Sequence, residues 1–176
     1  MITFFVHSSS VDNENEVRSG WQDCPLSLSG RQQALDLGRL VAGIPFDAVF
    51  CSDLSRATET VDIAFAGRPI RVDSRLREMN YGDYNGALRS QFPPDRFDWI
   101  DNPFPGGECC LDVERRMKSF LDECLTPKAN VAVVSHQFPQ LALEVLLNGR
   151  DWREAISEDW RDSGDWQPGW TYRIID

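Results

Sequence analysis

Ile2-Thr3-Phe4-Phe5-Val6-His7 and Val131-Ala132-Val133-Val134-Ser135-His136 are two short, mostly apolar runs, each closed by one of the chain's two histidines. A run of this length and composition reads as a buried strand. A group at its carboxyl end stands where open α/β sheets place their chemistry. Imidazole serves as nucleophile, base or metal ligand near neutral pH, so His7 and His136 are candidate site residues. Either one alone would equally suit a turn or the core, and their partners decide between these readings.

The 176 residues fit one domain, 1–176, long enough to bury a core without a disulfide or a structural metal. No apolar run approaches the ~20 residues that span a bilayer. The N-terminal run has no basic leader and no small-residue cleavage site, so it reads as a first strand, and the cytoplasm is the expected compartment. The five cysteines are odd in number and form no C-x-x-C pair, which argues for reduced thiols and against a disulfide framework or a zinc site. A net charge of −10 opposes nucleic acid and anionic membrane. A phosphorylated substrate would therefore need a local cluster of arginines.

Outward from the two runs, helix and strand alternate. A polar loop covers 8–24. A helix capped by Ser27 or Ser29 runs to about 42, with Ala34, Gly38 and Val41 on one face and Gly43 and Pro45 beyond its end. A strand over 47–51 leads to a helix that starts near Ser52 and ends before Gly67, and 70–72 is a short strand. The Gly-, Pro- and Asn-rich stretch 78–105 is irregular with short helical turns. Val113, Met117, Phe120, Leu121 and Cys124 mark an amphipathic helix over 108–125. The strand 131–134 precedes a helix that accepts Pro139 in its first turn and ends at Gly149. A final strand lies at 171–175. This order predicts an α/β fold, a three-layer sandwich with a mostly parallel central sheet.

Four segments at strand ends or helix starts bring polar groups: His7 with Ser8, Ser9, Ser10 and Asn13; Ser52-Asp53-Leu54-Ser55-Arg56; 76–83 with Glu78; and Ser135-His136. Together they suit phosphoryl transfer. A histidine takes the phosphoryl group, an arginine and a helix N-terminus hold its oxygens, and a carboxylic acid protonates the departing alkoxide.

These motifs resemble the histidine phosphatase superfamily, of phosphoglycerate-mutase-like fold. Its opening R-H-G-[EQ]-[ST]-x-x-N is met by Val6-His7-Ser8-Ser9-Ser10-Val11-Asp12-Asn13. Further matches are Arg18-Ser19-Gly20-Trp21, Pro25-Leu26-Ser27, the Ser52 to Ala57 and Leu76 to Gly86 blocks, Pro105-Gly106-Gly107-Glu108 and Val133-Val134-Ser135-His136. The resemblance implies His7 as the phosphorylated nucleophile, Arg56 on the phosphoryl oxygens, His136 stabilising the transferring group, Glu78 as general acid and Asn13 orienting the phosphate. It implies no metal and no organic cofactor.

The chain departs from that pattern at three places. Val6 replaces the arginine before the nucleophile, Ser8 the glycine after it, and Gln137 the glycine after the second histidine. Losing one charged donor from such a site costs about 2.7–4 kcal/mol of transition-state stabilisation. Ser8, Gln137 and Arg18 are candidate replacement donors, and Ser10 is a further candidate substrate-binding residue. Arg18 either turns toward the phosphate or lies on the pocket rim. The expected function is a phosphomonoester hydrolase acting on a small phosphorylated substrate through phosphohistidine, attenuated at Val6. The alternative is a weak or inactive homologue that binds a phosphorylated ligand or a partner protein. The resemblance favours hydrolase over mutase, because the family's mutases generally carry a longer insertion between the positions of Glu78 and His136.

Two other features carry less. Cys51-x₄-Arg56 is one residue short of the C-x₅-R loop of cysteine phosphatases, so Cys51 reads as structural. Trp152, Trp160, Trp166 and Trp170, interleaved with acids, form either a lid or a face packed on the sheet edge or on a dimer mate, which leaves a homodimer open.

Overall fold

The computed structural model describes residues 1–124, 126, 128–163 and 169–174. Along the chain run β1 (Ile2–Val6), α1 (Val11–Glu14), β2 (Val17–Arg18), α2 (Leu28–Val41), β3 (Ala48–Cys51), α3 (Ser55–Ala64), β4 (Ile70–Val72), β5 (Ala87–Leu88), α4 (Cys110–Cys124), β6 (Val131–Ser135), α5 (Gln137–Asn148), α6 (Trp152–Ser157), α7 (Trp160–Ser163) and β7 (Trp170–Tyr172). The main sheet has the order β4-β3-β6-β1-β7. Its first four strands are parallel, and β7 closes the edge antiparallel to β1. β2 and β5 form a separate two-stranded ribbon.

Side-chain alternation along the strands builds the three expected layers. Ile2, Phe4, Phe50, Val131 and Val133 face Val113, Met117 and Phe120 of α4, Leu141 and Ala142 of α5, and α6. Phe5, Val49, Cys51, Ala132 and Val134 point the other way, onto Leu37 and Val41 of α2 and Ala57, Val61 and Ala64 of α3. Each such large apolar side chain contributes about 1.5–3 kcal/mol by burial. Residues on both faces of β6 are buried, as a central parallel strand requires.

Local chemistry sets most boundaries. Ser27 Oγ accepts from Gly30 N at 3.0 Å and starts α2. α5 opens directly after His136 and stops at Gly149, whose φ of 71° suits glycine. α3 begins at Ser55, later than its Ser52 expectation, because its first-turn N–H is met from a distance: Asp23 Oδ1 accepts from Ser55 N at 2.9 Å. The expected loop over 8–24 carries α1 and β2 instead. Ser10 caps α1 in a reciprocal box with Asn13, and β2 exists only by pairing with β5. Cys51 is fully buried, and burial pushes its thiol far above its usual range, which removes it from thiolate chemistry. No helix among the described residues is long and apolar enough to cross a membrane. The expectations for Leu125, Trp166 and Ile175 lie outside the described residues.

Gly30 is where α2 presses on the loop after β1. A Cβ there would lie 1.9 Å from the Ser9 carbonyl oxygen, whereas one at Gly43 would meet nothing within 4 Å. Gly30→Ala should therefore lower stability by about 1–3 kcal/mol in chemical denaturation, as overpacking does, while Gly43→Ala stays within about 1 kcal/mol of wild type. Equal stabilities for the two variants would contradict this packing.

Candidate active site

The register of two strands brings the histidines together. Val6 pairs with Ser135, and His7 N donates to Ser135 O at 3.0 Å, so the next residues, His7 and His136, leave the sheet side by side. Their ring centroids are 5.0 Å apart. On the other side of β6, Ser52 N donates to Val134 O at 3.1 Å. That sets Ser52 Oγ 2.9 Å from His136 Nε2.

His7 has a defined tautomer. Its Nδ1 lies 2.8 Å from the Ser8 carbonyl oxygen. A carbonyl only accepts, so Nδ1 carries the proton and Nε2 keeps its lone pair. Arg56 Nε donates to that Nε2 at 3.3 Å. The guanidinium is buried and aimed by two carbonyls, with Nη1 on Gln22 O at 3.1 Å and Nη2 on Gly20 O at 2.8 Å. Burial first, and the Arg56 charge second, push the His7 pKa down to about 3. Burial, with Arg56 next, also holds His136 well below its ordinary value. Both rings are neutral at neutral pH.

Glu78 is held at the start of α5. Its Oε1 accepts from Met79 N at 2.9 Å and Phe138 N at 3.0 Å, and its Oε2 accepts from Gln137 N at 3.2 Å. Trp21 Nε1 and Arg116 Nη2 donate to its carbonyl at 2.7 and 3.0 Å. Arg116 is itself fixed by Glu108 at 2.9 Å. Backbone and side chain of Glu78 are thus both anchored.

These groups open onto a cavity of about 840 Å³. Val6, His7, Ser8, Asn13, Arg18, Arg56, Glu78 and Gln137 line it, as do Tyr81, Arg89, Trp160, Arg161 and Trp170. Two candidates stand off its wall. Ser10 is fully buried as the α1 cap, which corrects the expectation that it binds substrate directly. His136 is fully buried one layer behind His7, bonded to Ser52. Asn13 lines the cavity while its Oδ1 accepts from Ser10 N at 3.0 Å. Arg18 also lines it, with its guanidinium carbon 4.9 Å from the Phe92 ring centre. Gln137 is tied to Asp159 through Nε2. No cluster suited to a metal ion occurs among the described residues.

Sequence reasoning offers the tryptophan-rich segment as a lid or as sheet-edge packing, but does not single out Arg161 within it. Trp160 and Trp170 stack at 4.9 Å and line the cavity, whereas Trp152 is buried in the core and donates to Glu114 at 2.7 Å. Arg161 bonds Asp159 Oδ1 and Gln140 Oε1, each at 2.8 Å. Gly20, quoted only as part of a motif, serves through its carbonyl.

The neutral state of His7 has a consequence for stability. Its folded pKa lies below the unfolded value near 6.5, so the unfolded chain binds more protons between them. Stability is complete above about pH 6.5 and falls as the pH drops toward 3. Between pH 6.5 and 5 His7 should account for a loss of about 2 kcal/mol, at about 1.4 kcal/mol per pH unit. Denaturation of wild type and His7→Gln across this window measures it. Parallel pH dependences would contradict a neutral, shielded His7.

Comparison with known proteins identifies relatives of the chain and of its fold. The 2,3-bisphosphoglycerate-dependent phosphoglycerate mutase of Streptococcus agalactiae is 36% identical over 97 residues, 51% of this chain and 42% of the mutase. The Streptococcus pyogenes enzyme of the same name is 38% identical over the same shares. The match thus spans less than half the length of these curated relatives. Among solved structures, mycobacterial glucosyl-3-phosphoglycerate phosphatase in complex with VO3 superposes with a TM-score of 0.75 at 26% identity, covering 89% of this chain and 85% of that one. The α-ribazole phosphatase of Shigella flexneri shares the fold, with a TM-score of 0.79 at 24% identity over 89% of this chain and 83% of its own. The sequence profile of the histidine phosphatase superfamily (branch 1) matches residues 2–165, so the chain belongs to that superfamily.

Proposed function

We propose that this single-domain protein is a phosphomonoester hydrolase that works through a phosphohistidine on His7. The observation that carries the reading is the His7 tautomer: with Nδ1–H held by Ser8 O, the Nε2 lone pair stands against Arg56 at the cavity wall. Neutral Nε2 attacks phosphorus as the ester P–O bond breaks, and the Glu78 carboxylic acid gives its proton to the leaving oxygen. Water then attacks phosphorus, its proton passes to the Glu78 carboxylate, and the P–N bond breaks to return neutral His7 and inorganic phosphate. Arg56 neutralises the equatorial oxygens in both steps. His136 acts from behind by keeping the His7 environment preorganised and by its bond to Ser52.

Hydrolysis is favoured over mutase chemistry because the family's mutases generally carry a longer insertion between the positions of Glu78 and His136, where α4 is the one α-helix among the described residues. So short a cover leaves the phosphohistidine open to water. A cavity of about 840 Å³ suits a small phosphorylated molecule. Free cysteines suit a reducing compartment such as the cytoplasm. A second reading, a binding homologue without turnover, is favoured by one observation: Val6 lines the cavity where the superfamily pattern has arginine.

A panel of phosphomonoesters assayed with purified protein and with His7→Ala separates the two readings. Turnover that falls at least ~10³-fold in His7→Ala is expected. Phosphoester binding by wild type with no turnover would support the second reading instead. The Glu78 role is tested by leaving group, because an activated phenolate departs without protonation. Glu78→Gln should slow alkyl phosphates ~10²-fold or more, and p-nitrophenyl phosphate much less; equal losses on both would remove Glu78 from the acid role.

A further inference from the structure

Val6 deprives the pocket of one guanidinium, and another one lines the same cavity. Arg161 lines the cavity together with Val6, His7, Gln137, Trp160 and Trp170. It arrives there from the opposite end of the chain. β7 pairs antiparallel with β1, setting Trp170 opposite Phe4, two residues before Val6, and Trp160 of α7 stacks on Trp170. The Arg161 guanidinium carbon lies 4.5 Å from the Trp160 ring centre. We propose that Arg161 takes the place of the missing arginine and binds the phosphoryl group carried by His7. The proposal rests on the phosphatase reading above.

Arg161 is fixed as firmly as Arg56, though by an ion pair with Asp159. Arg161 is aimed by Asp159 Oδ1 and Gln140 Oε1, each at 2.8 Å, as Arg56 is aimed by two carbonyls. A guanidinium has five N–H groups, and these two bonds leave further donors for phosphoryl oxygens. Asp159, itself buried, also accepts from Gln137 Nε2, and Gln137 N donates to Glu78 Oε2 at 3.2 Å. Asp159 and Gln137 therefore link Arg161 to Glu78 through hydrogen bonds. The Arg161 charge acts on both histidines, lowering the basicity of His7 and of His136. Arg18, the other candidate replacement, lines the same cavity with its guanidinium carbon 4.9 Å from the Phe92 ring centre.

The test measures kcat/KM for p-nitrophenyl phosphate and the affinity for orthovanadate by calorimetry, in wild type, Arg161→Gln and Arg161→Gln/Val6→Arg. Removing one charged donor should lower kcat/KM about 10²-fold and weaken vanadate binding at least tenfold. Restoring a guanidinium at Val6 should recover at least tenfold of each. Because Arg161→Gln leaves Asp159 buried opposite a neutral side chain, Arg161→Gln/Asp159→Asn is measured alongside, with the same losses expected. Vanadate binding and kcat/KM within threefold of wild type in both Arg161 variants would overturn the proposal and leave the phosphatase reading standing. A wild-type protein that neither turns over phosphoesters nor binds vanadate would overturn both.

Discussion

The parallel pairing of β1 with β6 is the constraint on which the rest depends. Because Val6 is opposite Ser135, the two imidazoles leave the sheet together, and a one-residue slip would move every side chain of β1 to the other face. Phe4 and Phe5 prevent that slip, since each is buried in a different core. The site therefore draws its geometry from hydrophobic packing that never touches substrate.

Around this pair the chain solves an electrostatic problem. Arg56 is a buried cation beside a buried imidazole, an arrangement that is costly unless the charge is satisfied. Two carbonyls and the His7 lone pair satisfy it, and the same arrangement keeps His7 neutral. Glu78 faces the same cavity, its carboxyl group fixed by three backbone N–H groups. The result is a preorganised frame in which imidazole, guanidinium and carboxyl group are each held by fixed partners.

What the sequence reveals divides along the range of the interactions involved. β1, β4, α2 and α5 are legible because their apolar spacing, Ser27 cap, Pro139 and Gly149 are local signals. His7, Arg56, Glu78 and Gln137 follow from motif order, and all four line one cavity. The β2–β5 ribbon and the start of α3 were not legible, because one depends on pairing across the chain and the other on Asp23 as a distant cap. Ser10 looks like a phosphate donor in sequence, yet its hydroxyl belongs to the α1 cap. The role of Trp160, Arg161 and Trp170 was hidden for the same reason: only the antiparallel docking of β7 on β1 carries that segment to the pocket. A sheet-edge packing and a cavity wall turn out to be two sides of one element.

The central claim is that His7 Nε2 carries the phosphoryl group during turnover. Rapid acid-free quench of a reacting mixture, followed by peptide mapping with mass spectrometry at alkaline pH, measures it most directly. The account predicts an acid-labile phosphoryl group on the His7 peptide in wild type and in Glu78→Gln, and none in His7→Ala. Undiminished turnover in His7→Ala, or a phosphoryl group on any other residue of the wild-type chain, would contradict it.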